Sequence, residues 1–322
     1  MSARPDKALG TPMTVAWDEI GADAWAAFAA ATGPAALQQG WAYGEALRGG
    51  GAAVHRLAFR GTGGALDAVA QLVVRRFLGL LQVAFLLRGP LGRVAPARVV
   101  AAIAERFPRA FLLWTPAVDP AGVLGRPVVS GYATAWLAID RPDEALLAGM
   151  DVRWRHRVRR VLRSGLVTTT DRDGSLERFL LARELEQRRR IGYRGPHPLF
   201  LDRLRAVAPD DRLVMLALEG DEPVAGVLLQ RHGTSATYQI GWSSPRGRAL
   251  DANRLLLWRA FTALRDKGVR WVDLGGIATD KAPGPTRFKL QTGAVPEILP
   301  GTFLIPPRLP ILGFRRPLLE AA

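Results

Sequence analysis

Between Arg212 and Ile277 the spacing of apolar residues changes period twice, and this constrains the fold more than any other stretch. RLVMLALEG, VAGVLLQRH and SATYQIGW are short runs rich in β-branched, aromatic and aliphatic residues, parted by turns, the first at Asp221-Glu222-Pro223. Such runs predict three antiparallel strands. From Ala249 to Lys267 the apolar residues Leu255, Leu256, Trp258, Ala260 and Leu264 instead mark one face of a long helix, with Gly268 as its stop. VRWVDLGGI then returns to strand character. A sheet with a helix laid against it is the only economical way to bury both patterns.

Helices precede these strands. From Pro142 onward Leu147, Met150, Trp154, Val158 and Val161 recur every three or four residues and predict a helix with one buried face, closed by Ser164-Gly165. Its other face carries Arg153, Arg155, Arg157, Arg159, Arg160 and Arg163. A second basic helix over about 175–191 ends in Arg188-Arg189-Arg190, and a third covers about 197–208. An arginine face is either simply solvated or, because clustered guanidinium groups repel one another, a surface that a polyanion neutralises; the pattern leaves both readings open. In the first half, VHRLAFR (54–60) and AVAQLVVRR (68–76) around GTGGALD predict a hairpin. The run Phe77–Leu87 reads as a buried strand, Pro96–Phe107 as a helix, and FLLW (111–114) and ATAWLAI (133–139) as two more strands. The expected class is α/β, with mixed, antiparallel-rich sheets flanked by helices.

A length of 322 residues suits two medium domains. With 44 basic against 29 acidic residues the formal charge is +15, so polyanions are the expected partners. Among the basic residues only Lys7, Lys267, Lys281 and Lys289 are lysines, so a lysine inside a motif is more informative than an arginine. Zero Cys removes disulfides, thiolate metal sites and cysteine nucleophiles, and His55, His156, His197 and His232 have neither HxH nor HExxH spacing. No metal or other cofactor is expected. GxSxG, GxxxxGK[ST] and a GxGxxG after a strand are missing, which leaves serine hydrolase, P-loop nucleotidase and dinucleotide enzyme unsupported. The first twenty residues lack the apolar stretch of a secretory signal, and Phe77–Leu87 is about half of the ~20 residues a membrane-spanning helix needs, so a cytoplasmic location is expected.

The order helix, helix, three antiparallel strands, helix, strand resembles an acyl-transfer domain of the N-acetyltransferase (GNAT) type. Particular residues narrow the likeness: Tyr238 in a strand ahead of the long helix, a Leu-Leu-x-Trp stretch within it, Asp273-Leu274-Gly275-Gly276-Ile277 after it, and Gly284 followed by Phe288-Lys289. Gln39-x-Trp41 and Arg88-Gly89-Pro90 add to it in the first half. In this combination, spread over residues 35–305, the chain resembles the FemABX family, aminoacyl-tRNA-dependent transferases that add amino acids to peptidoglycan precursors and are built from two GNAT-like domains. The resemblance implies an N-terminal GNAT-like domain over 1–140, on which the C-terminal tail 302–322 packs, and a C-terminal GNAT-like domain over 141–301. No residue-level repeat links the two halves.

The resemblance also implies chemistry: transfer of an amino acid from aminoacyl-tRNA to an amine acceptor, a peptidoglycan or other cell-envelope precursor. It assigns Lys289 and Phe288 as the catalytic pair, the lysine placing a cation near the reacting ester or the tRNA end, the phenylalanine packing on the aminoacyl group. Tyr193 and Tyr238 resemble substrate-contacting tyrosines, Arg189 or Arg190 the arginine that grips a diphosphate, and Gly275-Gly276 a turn that lets backbone approach substrate closely. The plainer alternatives are a lysine beside a buried aromatic, core tyrosines, a solvated arginine face and a strand-ending turn. Implied partners are aminoacyl-tRNA and an anionic, amine-bearing acceptor, nucleotide- or lipid-linked, with no DNA. Through the apolar residues and arginines of its tail the chain could also touch the inner face of the membrane. Two departures stand out. Glu45 lies four residues after Trp41, where some relatives carry a basic residue for the nucleotide diphosphate, and no long helical hairpin is inserted.

Two rival readings remain. An acyl-CoA-dependent N-acyltransferase on the same fold would bind the CoA pyrophosphate at a glycine-rich loop opening the long helix. Here that place reads Ser244-Pro245-Arg246-Gly247-Arg248-Ala249-Leu250-Asp251-Ala252, with an anion at Asp251, which argues against CoA. A non-catalytic polyanion-binding protein is the other, and it leaves Phe288-Lys289 without a purpose.

Overall fold

The computed structural model describes residues 13–79, 81–117, 120, 125–278 and 282–308. In chain order the elements begin β1 (Thr14–Trp17), α1 (Ala22–Thr32), α2 (Trp41–Arg48), β2 (Ala53–Arg60), β3 (Leu66–Phe77), β4 (Leu81–Leu87) and β5 (Leu91–Gly92). Next come α3 (Pro96–Arg106), β6 (Phe111–Thr115), β7 (Arg126–Val129), β8 (Tyr132–Ala138), α4 (Asp143–Ala148), α5 (Val152–Val161), β9 (Val167–Thr170), α6 (Ser175–Ile191) and α7 (Pro198–Val207). The chain continues through β10 (Arg212–Glu219), β11 (Glu222–His232), β12 (Ser235–Ser243), α8 (Pro245–Ala249), α9 (Ala252–Asp266), β13 (Trp271–Ile277), α10 (Pro283–Leu290), β14 (Val295–Leu299) and β15 (Thr302–Ile305).

These elements form two compact units, each with its own sheet. The first takes the described residues of 1–32, 43–131 and 299–322, and its strands run in the order β1-β2-β3-β4-β6-β15-β7, with β5 on β3. The second takes 33–42 and 132–298, in the order β14-β8-β13-β12-β11-β10-β9. A strand's sequence does not say which sheet it joins: β8, read above with residues 1–140, pairs with β13 in the second sheet. From the tail, β15 pairs with β6 and β7 in the first sheet, while residues 309–322 lie outside the described ones.

Both sheets contain a parallel pair, β4 with β6 and β12 with β13. A parallel pair needs a long crossover, supplied by α3 in the first unit and by α8 and α9 in the second. The two-domain GNAT-like architecture is thus a repeat of topology without a repeat of residues. In the first unit the core packs Leu57, Phe59, Leu72, Leu86, Val99, Ile103 and Trp114. In the second it packs Trp154, Val158, Met215, Val227, Leu256, Phe261 and Leu274. All five apolar residues expected on the face of α9 are buried.

Three expectations need correction. The helix predicted from Pro142 is broken into α4 and α5, because the Asp151 carboxylate caps α5 by accepting from the backbone N–H of Arg153 (2.9 Å) and Trp154 (3.3 Å). The long helix from Ala249 is likewise split at Asp251, whose φ of 57° is left-handed. Phe77–Leu87 is not one buried strand. Its first residues turn the β3–β4 hairpin, with Leu78 at φ 50° and 98% exposed, and only residues 81–87 continue as strand. Glu45 also finds a plain use on α2, where it accepts from Arg48 (2.8 Å) and from the buried Arg56 (2.7 Å).

Candidate functional site

The site is built where β12 and β13 stop pairing. Their parallel register covers only Ser235↔Trp271, Ala236↔Val272 and Thr237↔Asp273, yet β12 runs on to Ser243 and β13 to Ile277. A wedge opens between residues 238–243 and 274–277. Two irregularities flank it. β12 bulges where Leu228 faces Ile240 and Leu229 faces Tyr238, leaving Gln239 extra; β13 bulges against β8 between Asp273 and Gly276. Bulges of this kind bend a strand and re-aim its side chains.

Asp273 fixes the second bulge. It is buried, and its Oδ1 accepts from Thr134 Oγ1 (2.5 Å) and from the backbone N–H of Gly275 (2.8 Å). Gly275 has φ 78°, a conformation that suits glycine, and a Cβ there would stand 3.7 Å from Lys289 Nζ and 3.8 Å from the Tyr238 carbonyl oxygen. The Lys289 ammonium, carried on α10, donates to the Gly276 carbonyl at 2.7 Å. Burial pushes the Lys289 pKa down, and the Asp273 carboxylate pulls the other way. The lysine is half-buried, so its cation is poorly hydrated and strong toward any oxyanion brought to it.

Phe288, one residue earlier, packs on the core with its ring 6.0 Å from that of Trp154, and the Arg254 guanidinium sits 5.3 Å above it. Tyr238 is half-buried, and burial drives its hydroxyl pKa well above the ordinary tyrosine range. Tyr193 donates from its hydroxyl to Glu184 Oε1 (2.9 Å) and accepts from Gln187 Nε2 (3.2 Å). Gln187 also donates to the Gly241 carbonyl (3.1 Å), which ties the end of α6 to β12. Burial again raises the Tyr193 pKa. Arg189 and Arg190 are exposed at the C-terminal end of α6. Their neighbour Arg188 is the one turned inward, donating to Glu184 (2.8 and 3.0 Å) and to the Pro196 carbonyl (3.1 Å). The geometry thus brings the Lys289 ammonium to Gly275, Gly276 and the Tyr238 carbonyl, links Tyr193 to Gly241 through Gln187, and turns the Phe288 ring away onto Trp154 and Arg254 in the core.

A second charged cluster lies at the start of α9. Asp251 is 3% exposed and pairs with Arg157 (3.1 Å), Arg160 (2.5 Å) and Arg254. In the loop before it, the Gly247 N–H is already bound by the Ser244 hydroxyl at 3.0 Å, and a Cβ on Gly247 would collide with the Val224 carbonyl at 2.1 Å. This glycine is required by packing. Sequence reading did not single out Asp273, Thr134, Gln187 or Arg254 as site residues. The signal for Asp273 and Arg254 was a charge inside an otherwise apolar strand or helix; Thr134 and Gln187 gave none. Among the described residues no cluster of His, Cys, Asp and Glu could hold a metal, and no helix is long and apolar enough to cross a membrane.

Comparison with known proteins agrees with this fold. Residues 152–290 match the family model described as Acetyltransferase (GNAT) domain. The structure of FemX superposes with a TM-score of 0.76 at 16% identity, over 91% of this chain and 98% of that one. A conserved protein of unknown function from Bacteroides thetaiotaomicron VPI-5482 superposes at 0.60 with 10% identity, over 90% and 99%. A tandem GNAT protein from the clavulanic acid biosynthesis pathway gives 0.50 with 16% identity, over 91% and 98%. No curated protein matches. The chain therefore has a fold of two GNAT-like domains in a FemX-like order of elements, and it is the second that matches the GNAT domain model.

Proposed function

We propose that this two-domain GNAT-like protein is an aminoacyltransferase that moves an amino acid from aminoacyl-tRNA to the amine of an anionic cell-envelope precursor at the cytoplasmic face of the membrane. The observation that carries this reading is Lys289: a half-buried ammonium hydrogen-bonded to Gly276, at the wedge between β12 and β13 and next to Phe288. In aminoacyl transfer the acceptor nitrogen attacks the ester carbonyl, the N–C bond forms, and negative charge builds on the carbonyl oxygen. The C–O bond to the tRNA ribose then breaks, and the proton lost by the amine ends on the released hydroxyl. A cation that cannot relax into bulk water favours that charge over the neutral ester, which is the difference catalysis requires. Tyr193, Tyr238, Arg189 and Arg190 serve the acceptor.

The loop before α9 supports an RNA donor over CoA. A CoA pyrophosphate needs free backbone N–H groups there, and the Gly247 N–H is already taken by the Ser244 hydroxyl. Arg153 and Arg159 on α5, and Arg163 in the turn after it, stay exposed for a longer polyanion.

The test follows discharge of radiolabelled aminoacyl-tRNAs and of labelled acetyl-CoA in a lysate that supplies the amine. Discharge of tRNA that drops at least about a hundredfold in Lys289→Ala, the scale of losing one oxyanion donor, supports the proposal. Consumption of acetyl-CoA alone would replace it with the N-acyltransferase reading.

A further inference from the structure

The β3–β4 hairpin ends in side chains that its folding does not explain. Leu78 is 98% exposed and contributes no burial, and Phe77 leaves 44% of its surface in water. Leu78 also has φ 50°, a turn conformation that Asn, Asp and Gly adopt at less cost than leucine. A leucine here loses on both solvation and backbone strain, so its use must lie outside the fold.

The surroundings say what that use is. Arg75 and Arg76 immediately precede the tip and are exposed. β6 runs parallel to β4 with Phe111 opposite Val83, so α3 ends and β6 begins at the same end of the sheet, bringing the exposed Arg106 and Arg109 there. Glu105 is the acidic neighbour. The hairpin continues past Val83 by two paired residues, roughly 7 Å, before it turns. An apolar tip thus projects from a collar of guanidinium groups. Two apolar side chains are far too few for a protein interface of about 1,000 Å², and for RNA only Phe77 has a ring to stack on a base, while the more exposed Leu78 is aliphatic and has none. A bilayer with anionic headgroups fits both features, since it takes the apolar tip into its interface and the arginines against its phosphates.

We propose that the β3–β4 hairpin is a membrane-contact loop, with Leu78 and Phe77 inserted among anionic lipids and Arg75, Arg76, Arg106 and Arg109 held at the headgroups. This requires nothing of the donor chemistry proposed above. The test uses the full chain with vesicles of phosphatidylcholine, with and without phosphatidylglycerol, read by flotation. Because the chain has no Cys, Leu78→Cys gives a single attachment point for an environment-sensitive fluorophore. The expected result is binding to the phosphatidylglycerol vesicles and a blue shift of the label on their addition. Affinity should weaken about tenfold or more in Leu78→Asp and about fivefold for each charge lost in Arg75→Gln and Arg76→Gln. Absence of binding, equal binding to both vesicles, an unshifted label, or full affinity in Leu78→Asp would each overturn the proposal. So would binding to tRNA that depends on Arg75 and Arg76 but not on Leu78, since the collar would then serve RNA.

Discussion

Lys289 occupies a position that costs it charge. Burial lowers its pKa, and the Asp273 carboxylate only partly offsets that. Below its folded pKa the lysine is a cation held in poor solvent; as the pH rises through that lowered value it loses the proton before an ordinary lysine would. If the cation stabilises the transition state, kcat/KM should therefore fall on an alkaline limb that begins below the usual lysine range. In Lys289→Arg, which does not titrate there, the limb should vanish at whatever activity remains. A pH–rate profile of the two proteins decides it, and an identical limb in both would assign the titration elsewhere. Lys289 stood out in the sequence through the family resemblance around Gly284 and Phe288-Lys289, and the scarcity of lysine in a chain so rich in arginine sharpened that signal. Its anchor did not, because Asp273 and Thr134 are 139 residues apart and meet only when β8 pairs with β13.

At the scale of elements, period-based reading finds where helices and strands lie, and local polar chemistry decides where they break. The apolar faces of α5 and α9 follow from spacing alone. Their starts depend on two aspartates, Asp151 as a cap and Asp251 as a buried counterion. The hairpin at Leu78 was illegible for the opposite reason, since a leucine in a turn reads as strand. Asp251 is the more consequential residue, because its loss would leave Arg254, only 16% exposed at its side chain, as an unpaired charge in the core. Arg157 and Arg160, 52% and 69% exposed, would turn toward water. Asp251→Ala should thus cost about 3 kcal/mol, the low end for breaking a buried pair. A lower urea midpoint at unchanged slope would register it. A shift under about 0.5 kcal/mol would mean that Arg254 also escapes to solvent, and that Asp251 is held for its charge at the start of α9 and not for stability.

For the molecule as a whole, a formal charge of +15 makes attraction to a polyanion unavoidable and says nothing of where it acts. The exposed arginines of α5 and of the turn that follows it give that attraction an address. Each phosphate neutralised by an arginine releases condensed counterion, so the logarithm of the binding constant falls with the logarithm of salt in proportion to the number of contacts. Binding of tRNA measured between about 50 and 200 mM salt should show this slope. Arg153→Gln, Arg159→Gln and Arg163→Gln together should reduce it by about one for each contact removed. These three side chains are exposed, and no hydrogen bond or ion pair described here ties them to the core, so the triple variant should keep the stability of the parent. A slope that the variant leaves unchanged would make the α5 face a solvated helix surface and move the RNA contacts to Arg189 and Arg190 at the end of α6. A slope reduced as stated would resolve the choice that the sequence left open, because Asp251 neutralises only part of this guanidinium face and the remainder would then have its counter-charge in the bound polyanion.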